Sequence, residues 1–96
     1  MILHTINATP ASAAFADCLA IIAPGDAIVL LGDAVYAALA GTDTCALLQD
    51  CAAQVYVLRA DALAAGVIGH IAAAAVVDMN GLVELSEQFP RQQAWY

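Results

Sequence analysis

The sequence predicts a small α/β domain: three layers, α/β/α, built on a mainly parallel sheet of four to five strands. Short apolar runs, Ile2–Ile6, Ala27–Leu31, Val55–Leu58 and Ala74–Val77, alternate with stretches of helical periodicity, the pattern of strands joined by crossover helices. The run Ala27–Leu31 is apolar at every position, as in a strand covered on both faces of a parallel sheet. Ninety-six residues hold one domain, 1–96, and alanine fills 24 of them. Small side chains let helices approach a sheet closely.

Each element has a local reason. After the strand Ile2–Ile6, Asn7-Ala8-Thr9-Pro10 carries helix-start chemistry, with Thr9 as N-cap and Pro10 in the first turn of a helix over Ala11–Ala23. Phe15, Cys18, Leu19 and Ile22 fall on one stripe of that helix, and Pro24-Gly25 ends it. Beyond the second strand, Asp33 is placed to cap a helix running to Leu39 or Ala40, closed by Gly41. Thr42-Asp43-Thr44 opens a further helix, Cys45–Ala52, ahead of the strand Val55–Leu58. Asp61–Ala65 forms a short helix stopped by Gly66, and Gly81–Gln88 follows the fourth strand. Gln93–Tyr96 suits a short edge strand.

Composition excludes several functions. The apolar fraction is 64% and the mean hydropathy +0.83, yet no membrane span fits. Leu19–Leu31 is broken by Pro24-Gly25-Asp26 and Val67–Val77 by Gly69-His70, short of the ~18 unbroken apolar residues required. Two arginines, no lysine and nine acids give a net charge of −7. Such a surface repels phosphate backbones and anionic lipid, so neither nucleic acid nor membrane is an expected direct partner. No basic segment precedes an apolar run at the N-terminus, so the cytoplasm is the expected compartment. There the three cysteines stay reduced.

Candidate chemistry lies in the loops beyond the carboxyl ends of the strands, where open parallel sheets bind ligands. Those loops supply Asn7, Gly32-Asp33, Arg59 with Asp61, and Asp78 to Asn80. No glycine-rich phosphate loop is present, since Gly32-Asp33 puts an acid where nucleotide loops carry a lysine; no cofactor is expected. Cys18 sits mid-helix beside Asp17, a setting for a structural thiol. Cys45 lies in a first helical turn, where the dipole favours thiolate while Asp43 opposes it. Cys51 is near a helix end beside Asp50. The five-residue gap between Cys45 and Cys51 does not match zinc-ligand spacing, so no metal is expected with His4 or His70. His4, inside a strand run, reads as a hydrogen-bonded core or sheet-edge residue, and His70 as a loop residue.

An ordered series of short motifs carries a resemblance. Leu3-His4-Thr5-Ile6 with Thr9-Pro10, then Gly25-Asp26, Leu30-Leu31, Asp33-Ala34-Val35-Tyr36-Ala37-Ala38, and Val55-Tyr56-Val57-Leu58 with Asp61 and Gly66 come first. Val77-Asp78, Val83-Glu84-Leu85 and the terminal Ala94-Trp95 complete it. Together they resemble the TusB/DsrH sulfur-relay family over nearly the whole chain. The resemblance implies a DsrE/F/H-type fold and membership of a hetero-oligomer with two paralogous partners, TusC- and TusD-like or DsrF- and DsrE-like. It implies transfer of persulfide sulfur, received through TusA, towards 2-thiouridine at the tRNA wobble position. The acceptor cysteine then belongs to the TusD/DsrE-type partner, and this chain is a non-catalytic or auxiliary subunit.

Ala16-Asp17-Cys18-Leu19 resembles a cysteine-containing segment of DsrH and of some TusB chains, which makes Cys18 the candidate persulfide carrier, with Cys45 behind it. Ala65-Gly66 replaces an Arg-Gly common in the family, and Leu82 a common Phe. Three rival readings follow: a DsrH-type subunit of a sulfur-oxidation system, a carrier using its own Cys18, and a flavodoxin-shaped binding module. For assembly, the tail aromatics Phe89, Trp95 and Tyr96 are the interface candidates, with Trp95 covering the domain's own core as the alternative.

Overall fold

In the computed structural model, which describes residues 1–96, five parallel strands form one sheet. They are β1 (Ile2–Ile6), β2 (Ala27–Leu30), β3 (Gln54–Leu58), β4 (Ala75–Val77) and β5 (Arg91–Trp95), in the order β4-β3-β2-β1-β5. Four helices connect them: α1 (Ala13–Ile21), α2 (Asp43–Asp50), α3 (Arg59–Ala64) and α4 (Met79–Gln88). Two 3₁₀ segments, Gly32–Ala38 and Ile68–His70, complete the elements.

The topology follows from crossover handedness. From β1 to β4 the chain steps across the sheet in one direction, so right-handed connections put their helices on one face. From β4 it must return over the whole sheet to β5, so α4 lies on the other. The two cores match this division. On the first face Ile6, Ile28, Leu30, Val55 and Val57 pack with Phe15 and Cys18 of α1, Ala34 and Val35, Leu48 of α2 and Ala62 of α3. On the second, Leu3, Ala27 and Val29 pack with Leu85 of α4 and Phe89 just beyond its end, flanked by Leu31, Tyr56 and Leu82. The strict alternation along β2, Ala27 and Val29 to one side and Ile28 and Leu30 to the other, explains why all four are buried.

Several boundaries differ from the sequence expectation. The first helix starts at Ala13, not Ala11, because Thr9 does not cap it. The Thr9 carbonyl accepts from both Ser12 N–H (3.0 Å) and Ser12 Oγ (2.8 Å), and Ser12 Oγ in turn accepts from Phe15 N–H. Gly32–Ala38 is a tight 3₁₀ segment with no side-chain cap from Asp33. Its first amide, Gly32 N–H, donates instead to Asp61 Oδ2 at 2.8 Å. Thr42 caps α2 and Asp78 caps α4 through Gly81 N–H. The tail strand is longer than Gln93–Tyr96: Arg91 to Trp95 pair in parallel with Ile2 to Ile6. The sheet therefore has five strands.

Candidate functional site

At the carboxyl end of the sheet the loops do converge. Gly32, Asp33, Tyr36 and Asp61, with Ala64 and Ala65, line a groove of about 210 Å³. Gly32 has φ +51°, and a Cβ there would overlap Asn7 Oδ1, so the turn after β2 requires glycine. The lining holds two carboxylates and no cation, the wrong sign for a phosphate ligand. Asp78, expected in the same crevice, is engaged in capping α4. His70 ends the second 3₁₀ segment and donates its N–H to the Val67 carbonyl.

The three cysteines lie in different environments and form no disulfide. Cys18 is fully buried in the main core. Burial, and behind it the neighbouring Cys51 and Asp26, push its thiol up to about 12, so it stays a neutral thiol near pH 7. Cys45 is buried, with its Sγ 3.7 Å from the Ala72 carbonyl oxygen. Cys51 is half-buried and borders an apolar groove of about 360 Å³ between the end of α2 and the starts of β3 and β4. No three His, Cys, Asp or Glu side chains converge as a metal would need.

The most organised polar cluster is one that spacing in the sequence does not announce. His4 and Asp26 are 0% and 4% exposed, and His4 Nε2 stands 3.1 Å from Asp26 Oδ2. Asp26 also accepts from Ile2 N–H at Oδ1 (2.9 Å) and from Ala23 N–H at Oδ2 (3.1 Å). Burial acts to raise the Asp26 carboxyl, but the Ile2, His4 and Ala23 donors outweigh it and hold the group below its ordinary value. Trp95 Nε1 lies 3.1 Å from His4 Nδ1. An indole N–H only donates, so His4 Nδ1 accepts and Nε2 carries the proton that is given to Asp26. The row Trp95, His4, Asp26 thus fixes one tautomer and stitches β5, β1 and the entry to β2 together. With His4 and Asp26 sealed from solvent, it is a clamp with no access for substrate. Asp26 could have been suspected from an acid set directly before an all-apolar strand.

Of the tail aromatics, Phe89 is buried in the second core, Trp95 is half-buried against the first, and Tyr96 is 85% exposed.

The structure is a five-stranded parallel α/β domain whose most organised polar group is the sealed His4–Asp26–Trp95 row. The ychN protein from E. coli has a similar fold, with a TM-score of 0.72, 15% identity and 97% of each chain covered. The family described as DsrH like protein matches residues 9–92. The chain is 42% identical to protein TusB of Pectobacterium parmentieri and 34% identical to protein TusB of Escherichia coli K12. Each match spans 94 residues, 97% of this chain and 99% of the relative. The chain belongs to the DsrH/TusB family.

Proposed function

We propose that the chain is a non-catalytic subunit of a cytoplasmic sulfur-relay hetero-oligomer of the TusBCD type. The complex passes persulfide sulfur towards 2-thiouridine at the tRNA wobble position, with TusC- and TusD-like chains as partners. The observation that carries this reading is the 42% identity to a TusB protein over 97% of the chain. The burial of Cys18, with its thiol raised to about 12, supports an auxiliary role over a persulfide carried on this chain, because attack on a persulfide requires an accessible thiolate. The net charge of −7 supports tRNA being met by another component. No helix is long and apolar enough to cross a membrane. Tyr96, 85% exposed at the tail, is the tail aromatic most available to a partner, whereas Phe89 is buried in the second core.

A DsrH-type subunit of a sulfur-oxidation complex is the second reading, favoured by the match to the DsrH like family over residues 9–92. Co-expression with tagged TusC- and TusD-like neighbours tests the first. Stoichiometric co-purification is expected, whereas a stable monomer eluting apart from both would sink it. In a deletion strain, loss of 2-thiouridine distinguishes the tRNA branch from the sulfur-oxidation branch.

A further inference from the structure

The bond between Trp95 and His4 joins a group that can only donate to one that can change from acceptor to donor. His4 Nε2 already carries a proton for Asp26, so the lone pair that accepts from Trp95 Nε1 is on Nδ1. A second proton can enter the ring only at Nδ1. There it would face the indole N–H across 3.1 Å, and two donors cannot share one bond. Protonated His4 and the docked indole therefore exclude each other.

The strand that carries Trp95 is lightly held. Arg91 to Ala94 are all exposed, and Trp95 alone in β5 is half-buried. Apart from the backbone ladder to β1 and the Asn7 N–H bond to the Trp95 carbonyl, β5 has two side-chain ties, Trp95 to His4 and Gln92 Nε2 to the Ser86 carbonyl. The indole lies tilted by 32° to the imidazole, with ring centroids 6.3 Å apart, and packs against the first core. Edge elements with so few buried contacts open locally at low cost. Such an opening admits water to an imidazole that is otherwise 0% exposed.

Few charged groups face this ring. Asp26, at the entry to β2, keeps its bond to Nε2 in either state and supplies the countercharge once an imidazolium forms. From α1 comes the Cys18 thiol, close enough to feel Asp26 and neutral near pH 7, while Asp17 beside it is exposed. β5 places Arg91 on the Trp95 side of the strand, at its exposed far end in register with Ile2. Ahead of β1, the exposed Met1 carries the terminal amine. We infer that the Trp95–His4 bond is an acid-released latch: a proton taken up at His4 Nδ1 breaks the indole bond, turns Trp95 towards solvent and frays the end of β5 from β1. The open state binds one proton more than the closed one, so the latch is shut at high pH and loosens as pH falls.

Trp95 is the one tryptophan of the chain, so its fluorescence reports the latch directly. The full chain is titrated from pH 8 to pH 5, the interval in which histidine changes charge; Asp26, held below its ordinary value, stays ionised throughout. Trp95 emission is expected to shift to the red. Hydrogen exchange of peptides covering Phe89–Tyr96, corrected for intrinsic rates, is expected to quicken with a slope approaching about tenfold per pH unit, while β2 and β3 keep their protection. Imidazole nitrogen NMR signals are expected to show His4 with Nε2 protonated at the upper end and titrating with the same midpoint as the emission. His4→Gln is expected to flatten both responses, and His70→Gln to leave them as they are. Should His4→Gln not fold, the shared midpoint in the unaltered chain decides. The latch is overturned by emission and exchange that do not change over this interval, or by separate midpoints for His4 and Trp95. It is equally overturned by a response that folded His4→Gln retains or His70→Gln abolishes, or by β2 and β3 losing protection in step with β5.

Discussion

Trp95 Nε1 donates to His4 Nδ1 across 3.1 Å, joining residues 91 positions apart in the chain. This bond fastens the last strand to the first. Trp95→Phe keeps most of the ring but leaves a buried acceptor without a donor, at about 1–3 kcal/mol. Trp95→Ala also removes packing against the main core and costs more, about 3–5 kcal/mol at the upper limit for a buried aromatic. Urea unfolding of both variants measures the order. Equal stability of Trp95→Phe and wild type would mean that the bond contributes nothing.

Asp26 sets the acid response. Its folded pKa lies below the ordinary carboxylate value, so the sign of linkage is fixed: its contribution is complete above the unfolded value, near 3.9, and is lost as pH falls through the lower folded value. Asp26→Asn replaces one accepting oxygen by an NH2 group, leaving at least one of the Ile2, His4 and Ala23 donors without an acceptor, and is expected to cost about 1–3 kcal/mol. The variant should also lose part of the steep fall in stability below about pH 4. Unfolding midpoints measured from pH 7 down to 2 for both proteins check the slope.

Thiol reactivity follows burial. Cys51 is half-buried, while Cys18 and Cys45 are enclosed. In the native protein at pH 8, iodoacetamide is expected to modify Cys51 first, with Cys18 and Cys45 reached only on unfolding. Peptide mapping of the alkylated protein identifies the order, and early modification of Cys18 would contradict its burial.

Two glycines separate strain from collision. Gly41 has φ +84°, and a methyl group added there would meet nothing within 4 Å, whereas a Cβ on Gly32 (φ +51°) meets Asn7. Gly41→Ala therefore costs about 1 kcal/mol of backbone strain. Gly32→Ala adds displacement of Asn7 and is expected to cost clearly more in the same denaturation assay.

The fold is legible in the sequence because its signals are local. Alternating apolar runs and helical stripes, with Gly41 and Gly66 as stops, place β1 to β4 and the helices within a few residues. Local signals mislead where a distant residue overrides them. Asp33 looks like a cap, yet Gly32 N–H is taken by Asp61, 29 residues on, and the segment tightens to 3₁₀. The tail strand Arg91–Trp95 has two consecutive glutamines and weak strand propensity of its own. It forms because β1 offers an open edge and His4 an acceptor for Trp95. The clamp itself is hidden for the same reason: its members lie 22 and 91 positions apart, and no spacing rule links them.

The role proposed for this chain is to shape a sulfur-transfer complex without carrying sulfur itself. It is tested most directly by Cys18→Ala/Cys45→Ala/Cys51→Ala, expressed in a strain lacking the wild-type chain, with 2-thiouridine in bulk tRNA quantified by mass spectrometry. Restoration to the wild-type level is the expected result. A cysteine-free chain that folds and enters the complex, yet leaves the tRNA unthiolated, would contradict it.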